Sequence, residues 1–334
     1  MNGFQGAHFA PLLRFGCRAA AFLGGWAIPR QNLCAFVAFC WKLLRDFWQF
    51  ERRKINRRGQ PITYAAQIHA ADAVPTGPRA KGALVLTAKR RGAETVIADL
   101  RQEGSLKALF PRVRGDALDA VFLNTAGGLT GGDQMQFDVT ASAGAHITLS
   151  SQAAERGYRA HPGQIAQSKV ALNVGSGGRI DWIPQETILF ESAALDRQMH
   201  VHLAADATAL IVEPVIFGRP AMGEDVRNLR FTDQWRIWRD NKLVFADALR
   251  LIGDAKTHLQ RRAIAGNAGA MATIVLAGPQ AQKLDLPETC GASLIADDLL
   301  LVRLLAEDGF ALRRILIPVV EALSCAPIPR VWRL

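Results

Sequence analysis

The sequence predicts a mainly β protein, in which many short strands form a solenoid-like or layered β arrangement with about two helices in the C-terminal part. Apolar and polar residues alternate with a period of two through most of the chain after Lys81, as they do in strands that bury one face. Glycine-rich turns separate these runs at short intervals. Such spacing favours a sandwich, barrel or solenoid over βαβ units.

The strands are predicted from runs in which every second residue is apolar. Their apolar sets include Met135–Val139, Ala145–Leu149, Val170–Val174, Ile180–Trp182, Met199–Leu203 and Trp235–Ile237. Turn sequences lie between them at Gly127–Gly128, Gly131–Gly132, Gly175–Gly178 and Arg239–Lys242. Each strand should therefore turn one face toward a core and the other toward water or another layer.

Helical periodicity is confined mainly to the end of the chain. The apolar residues of Ala306–Leu323 recur at helical spacing, which predicts a helix with Pro318 at a kink or at a late start. A short second helix is predicted over Gly278–Glu288.

The first 78 residues differ from the rest in charge and composition. They carry ten Lys/Arg and three Asp/Glu, a net charge of +7, whereas the other 256 residues carry only +3. We therefore divide the chain into a basic, partly apolar N-terminal extension, residues 1–78, and one domain, residues 79–334. The extension is a targeting or membrane-surface element, a helical appendage that docks on a partner, or a dispensable segment translated from upstream of the natural start.

Charge and cysteine content exclude several protein classes. Because most of the net charge of +10 lies in the extension, the domain is nearly balanced in charge, and a nucleic-acid-binding function loses its chief support. The five cysteines include no CxxC pair and have no zinc-finger spacing, so Cys290 and Cys325 are expected to be buried small hydrophobes. This pattern is typical of the reducing cytoplasm. We expect a cytoplasmic protein with neither nucleic-acid nor membrane partners.

Five stretches in a fixed order, together with the C-terminus, resemble one family, the UreD (UreH) urease accessory proteins. They are Arg79–Arg90 at the start of the domain, Leu123–Asp133 (LNTAGGLTGGD), Ser151–Arg159 (SQAAERGYR), Trp182–Phe190 (WIPQETILF) and Phe217–Glu224 (FGRPAMGE), and the chain closes on Pro329–Arg333 (PRVWR). The resemblance runs over nearly the whole domain, and the order of the motifs makes it more specific than any single one. The extension is the only departure from the family pattern.

The resemblance implies a urease maturation factor with no catalytic activity. Family members are scaffolds or chaperones that bind apo-urease with UreF and with the GTPase UreG, and assist GTP-dependent nickel insertion into the urease active site. The expected partners are thus UreF, UreG and the urease structural subunits. No cofactor of its own is expected, only nickel in transit, which family members are thought to pass along an internal route.

Two carboxylates are candidates for that route. Asp133 follows a glycine-rich loop that lacks the Lys-Ser/Thr of a phosphate-binding loop, and Glu186 lies among apolar residues after Pro184. The alternatives are that Asp133 caps a turn and that Glu186 pairs with an arginine, for which Arg156, Arg159 and Arg219 are candidates.

A weaker metal candidate is the pair His200 and His202. They flank Val201 and therefore share one face of a strand, where two imidazoles can hold Ni²⁺. Because Val201 should face the core, both histidines are expected to face solvent.

No catalytic constellation is present: the chain has no GxSxG elbow and no HExxH helix. The alternative function is a β-solenoid enzyme acting on polysaccharides, in which Trp182, Trp235 and Trp238 would stack on sugar rings.

Overall fold

The computed structural model describes residues 77–112, 115–279, 286, 290–324 and 326–333. The N-terminal extension lies outside these residues except for its last two positions. So do Cys325 and most of the helix predicted over Gly278–Glu288.

Seventeen strands form two sheets in the described part of the chain, and together with short connections they make up most of it. In chain order they are β1 (Lys81–Arg91), β2 (Glu94–Gly104), β3 (Leu106–Leu109), β4 (Leu118–Asn124), β5 (Gln134–Ala141), β6 (His146–Ser151), β7 (Glu155–Gly157), β8 (Ala166–Val174), β9 (Arg179–Trp182), β10 (Thr187–Leu189), β11 (Ala194–Leu203), β12 (Thr208–Phe217), β13 (Leu229–Arg239), β14 (Lys242–Gly253), β15 (Ala270–Ala277), β16 (Cys290–Ala296) and β17 (Leu299–Ala306).

The strands coil back and forth between the two sheets, as in a β-solenoid. A seven-stranded sheet has the order β14-β13-β11-β8-β5-β1-β2, and a ten-stranded sheet contains β16-β17-β15-β12-β9-β6-β4-β3, with β7 and β10 on a side branch. From β4 to β13 the chain alternates between them, and the stacked strands pair in parallel. Antiparallel hairpins close the ends of both sheets, and β15 pairs in antiparallel fashion with β12 and β17 inside the ten-stranded sheet.

The predicted alternation matches the faces of the strands. Its apolar sets are buried between the two sheets, including Phe137, Leu172 and Val201, while their polar neighbours point outward. Phe122, Phe137 and Trp182 form one aromatic cluster in this core, with centroids 5.0–5.4 Å apart. The prediction of a mainly β, solenoid-like fold is confirmed.

Two helices occur in the described residues, α1 (Ala255–Gln260) and α2 (Gly309–Ser324). Helix α2 packs its buried side, which includes Leu312, Leu316 and Val320, on the outer face of the ten-stranded sheet and forms a second core. It starts nine residues before Pro318, so the predicted late start is wrong; the proline is exposed and lies inside the helix.

Further differences concern the ends of elements. Ala306, predicted in the helix, is the last residue of β17. Helix α1 has no apolar periodicity of sufficient length to reveal it; Asp254 caps it by accepting a hydrogen bond from Thr257 N. Cys290, predicted to be buried, is half-buried in β16 against the second core. Within the described residues, neither helix has the length and hydrophobicity to span a bilayer.

Candidate functional site

Asp133 closes the glycine-rich turn before β5. Its Oδ2 accepts from Thr130 N at 2.7 Å, and its Oδ1 accepts from Ala80 N at 2.8 Å. The buried carboxylate therefore holds both its own turn and the residue that leads into β1. Each carboxylate oxygen accepts one backbone hydrogen bond, so Asp133 has a structural role in the turn.

Glu186 lies outside the space between the sheets, beneath helix α2. Arg313 of that helix binds it through two hydrogen bonds, Nε to Oε1 at 2.6 Å and Nη2 to Oε2 at 2.8 Å. Glu186 pairs with an arginine, but that arginine is Arg313; among Arg156, Arg159 and Arg219 none is its partner in the described contacts. The helix that supplies Arg313 could not be placed over Glu186 from sequence.

His200 and His202 lie on the outer face of β11, as predicted, while Val201 between them is 0% exposed. The ring of His202 stacks on Trp238 with centroids 4.6 Å apart, and His200 meets the same indole edge-on at 5.4 Å. Burial, His202 and Arg236 lower the pKa of His200. In the described residues no group of three or more His, Cys, Asp or Glu could hold a metal ion, and metal binding by the pair stays a prediction.

A cavity of about 260 Å³ lies between the two sheets. Its wall combines apolar side chains such as Phe137 and Trp182 with a polar set. The polar residues that line it are Asn124, Ser151, Gln152, Glu155, Arg156, Ser168, Gln185, Thr187, Arg197, Gln198, Glu213 and Asp233. Gly127, Gln152 and Arg156 are exposed, so the cavity reaches the surface on that side.

A buried ionic cluster forms the deep end of the cavity. Arg197 of β11 donates from Nη1 to Glu213 Oε2 at 2.5 Å and from Nη2 to Asp233 Oδ2 at 2.5 Å. Glu213 belongs to β12 of the opposite sheet, while Asp233 is the register partner of Arg197 on β13. Two buried tryptophans complete the set, because Trp182 Nε1 donates to Glu213 and Trp235 Nε1 donates to Asp233.

The cluster holds two carboxylates against one guanidinium, an excess of one negative charge when all three groups are ionised. Burial raises the pKa of Glu213; Arg197 opposes the shift and Asp233 adds to it. This excess of negative charge favours the protonated form of one carboxyl group, which leaves the cluster neutral.

A third carboxylate, Glu155, lines the cavity nearer the surface. It accepts hydrogen bonds from Asn124 Nδ2 at 3.3 Å and from Arg156 N at 3.1 Å. Its pKa is raised, chiefly by burial. The described residues give Glu155 no ion pair. Together with Glu213 and Asp233, it places carboxylates at both the outer and the deep end of the cavity.

Sequence analysis did not identify Arg197, Glu213, Asp233 or Glu155. Arg197 and Asp233 occupy positions of apolar parity, two residues before Met199 and Trp235, and Glu213 interrupts a continuous apolar run in β12. A charged residue at a core position was the available signal.

The tryptophans do not support sugar stacking. Trp182 and Trp235 are each 2% exposed, and one face of Trp238 is covered by His202. The interpretation of Trp182 and Trp235 as sugar-stacking residues is therefore wrong, and His202 already occupies one face of Trp238.

Comparisons with known proteins cover most of the chain. The family model described as UreD urease accessory protein matches residues 80–333. A urease accessory protein UreD of Roseobacter denitrificans is 46% identical over 263 residues, 77% of this chain and 96% of that protein. The UreD proteins of Ruegeria sp. (47% over 280 residues, 79% and 94%) and Rhizobium leguminosarum bv. viciae (44% over 263 residues, 77% and 96%) are similarly close. The chain therefore belongs to the UreD family of urease accessory proteins.

Proposed function

We propose that this protein is a non-catalytic scaffold of urease maturation. It binds apo-urease together with UreF and UreG in the cytoplasm and assists GTP-dependent insertion of nickel into the urease active site. Membership of the UreD family supports the maturation role, and the three partners are those that the resemblance implies. Nickel is cargo in this proposal, and UreG supplies the GTP hydrolysis.

The observation that carries the proposal is the charged cavity between the sheets. A nickel ion in transit needs ligands that bind and release it readily, and carboxylate, amide and carbonyl oxygens do so more easily than thiolates in series. The cavity has Glu155 at its outer end and Glu213 with Asp233 at its deep end. Its lining includes no cysteine and no histidine among the described residues, which suits passage rather than storage.

The two acids predicted from sequence enter the proposal as supports of the cavity wall. Asp133 fixes the turn between Leu129 and Met135, which both line the cavity. Glu186 lies between two lining residues, Gln185 and Thr187, and is anchored from outside by Arg313. Direct contact of either carboxylate with nickel remains a prediction.

We predict that filling the cavity blocks nickel delivery and leaves assembly intact. Ser168 has inward parity on β8 and lines the cavity, so Ser168→Phe places a ring in it. Ser168→Ala is the matched control. Urease purified from cells that express the urease genes and the Ser168→Phe variant should contain less nickel by elemental analysis and show lower activity. The amount of UreF that co-purifies with the variant should stay unchanged.

Thermal unfolding shows whether the Phe variant is folded. Parental nickel content in urease matured by a folded Phe variant would mean that nickel does not pass through the cavity. Parental nickel content in cells without any form of this chain would overturn the maturation role itself.

A further inference from the structure

Four of the sequence motifs meet at one surface beside the mouth of the cavity. Tyr158 packs on Gly128, where a Cβ atom would lie 2.2 Å from Tyr158 Cε2, and its hydroxyl donates to Gly127 O at 3.3 Å. The Tyr158 ring meets Phe190 edge-on at 5.2 Å. The guanidinium of Arg219 lies over the Phe190 ring, 4.0 Å from its centroid. Each of these contacts joins residues of two different motifs.

The side chains of this surface are held in place before any partner arrives. Glu224 accepts two hydrogen bonds from Arg219, at 3.0 Å from Nε and 2.9 Å from Nη2, and so fixes the guanidinium over Phe190. Tyr158 is held by its ring contact and its hydroxyl. Pre-ordered side chains lose less conformational entropy on binding, which favours an interface.

The exposed charge of this surface is positive. Arg156 and Arg159 are exposed and have no ion pair in the described residues, and the Arg219 side chain is 44% exposed. The nearby acids already have donors: Glu224 is ion-paired with Arg219, and Glu191 accepts hydrogen bonds from Arg227 N and Asn228 N. Arg156 and Arg159 are therefore the charges of this surface that have no ion pair in the described residues.

An apolar group completes the surface. Met222 follows Arg219 in a single 3-10 turn and is 76% exposed. Arginine, tyrosine and methionine are enriched in protein interfaces, where a few aromatic and arginine side chains supply most of the binding energy.

We propose that the rim surface, defined as Arg156, Tyr158, Phe190, Arg219 and Met222, docks a carboxylate-bearing, partly apolar loop of a urease-maturation partner protein over the mouth of the cavity. The proposal rests on the proposed function. The exposed arginines attract the acidic side chains of the partner loop, and Tyr158 and Met222 pack against its apolar side chains. Because the rim surface lies beside Gly127 and Arg156 of the cavity wall, it brings the carboxylates of the partner to the opening.

The test compares full-length variants in cells that co-express the urease structural subunits, UreF and UreG. Arg156→Glu with Met222→Asp reverses one charge and removes the apolar contact at exposed positions, so folding should persist. Arg91→Glu, an exposed arginine at the end of β1, is the control. Quantitative mass spectrometry of the purified complexes should show at least about a tenfold loss of one partner with the double variant only. The parental complex should also weaken at high salt.

A photo-crosslinking residue at position 222 identifies the occupant. The proposal expects an adduct with an Asp- or Glu-bearing peptide of one of the co-expressed proteins. Adducts with nucleic acid, or with peptides that carry no acid, would overturn it, and so would full assembly by the double variant. If the parental chain assembles with none of the partners, the proposed function fails as well.

Discussion

One guanidinium group, that of Arg197, joins the two sheets through the core. It binds Glu213 on one sheet and Asp233 on the other, and all three side chains are at most 11% exposed. Taking such charges out of water is costly, so the cluster adds little net stability when complete. Removing one member leaves the others buried without a counter-charge, which is strongly destabilising.

We predict that Arg197→Met lowers the free energy of unfolding by about 3–5 kcal/mol, measured by urea denaturation. The loss should depend on pH. Burial already raises the pKa of Glu213, and loss of Arg197 removes the opposing charge. A carboxyl whose pKa is raised by folding favours the folded state below its unfolded pKa, and this contribution is lost as pH rises through the folded pKa. The deficit should therefore be larger at mildly alkaline than at mildly acidic pH.

The matched control is Arg303→Met. Arg303 also joins the sheets, but it pairs with one carboxylate, Asp247, and both side chains are more than 20% exposed. The decrease in the free energy of unfolding caused by Arg303→Met should be smaller and less dependent on pH. Equal deficits for Arg197→Met at both pH values would contradict the assignment of the cost to buried carboxylates.

Helix α2 and the C-terminal tail brace the cavity wall from outside the ten-stranded sheet. Arg313 binds Gln185 Oε1 at 2.8 Å as well as Glu186, and Gln185 Nε2 donates to Val331 O at 3.0 Å. Trp332 is buried beneath Arg313 and donates from Nε1 to Ile183 O at 3.0 Å. The segment that bounds the cavity is thus fixed by the last residues of the chain.

We predict that Trp332→Ala destabilises the domain by about 3–5 kcal/mol, because it removes a large buried ring. Trp332→Phe keeps an aromatic ring and loses the hydrogen bond to Ile183, so it should cost less. Hydrogen exchange should rise in the segment from Trp182 to Thr187 in the Ala variant. Unchanged exchange there would show that the tail is not what holds this segment.

The sequence was sufficient for the inward faces of the predicted strands and insufficient for helix α1 and for the long-range partners of the charged residues. Alternation identified the inward faces of the strands correctly because burial of one face is a local property of a strand. The parallel pairing of the strands could not be predicted from the sequence, because it joins strands that are not consecutive in the chain. The partners of Arg197 lie 16 and 36 residues away, and the partner of Glu186 lies 127 residues away.

At the scale of the whole molecule, the match to the family does not include the N-terminal extension. The family model begins at residue 80, and relatives with 94–96% of their own length aligned cover only 77–79% of this chain. The domain of residues 79–334 is therefore expected to contain the parts needed for maturation.

We predict that deletion of residues 1–75 leaves folding and urease activation largely unchanged, since the alternation and the family motifs begin after Gly77. Circular dichroism of the purified domain and a complementation assay in cells lacking the full-length chain measure the two properties. Loss of activation with a folded domain would assign a function to the extension.

The alternation of strands between two sheets also sets the order in which the chain can fold. Phe137, Val170, Met199 and Trp235 lie side by side in neighbouring strands, each about 30 residues from the next. Each parallel pairing must close a loop of that length before its hydrogen bonds form, and such non-local pairing is slow. A chain leaving the ribosome can add its coils one at a time onto those already placed. A denatured chain exposes all its unpaired strand edges at once, so refolding yield should fall as concentration rises.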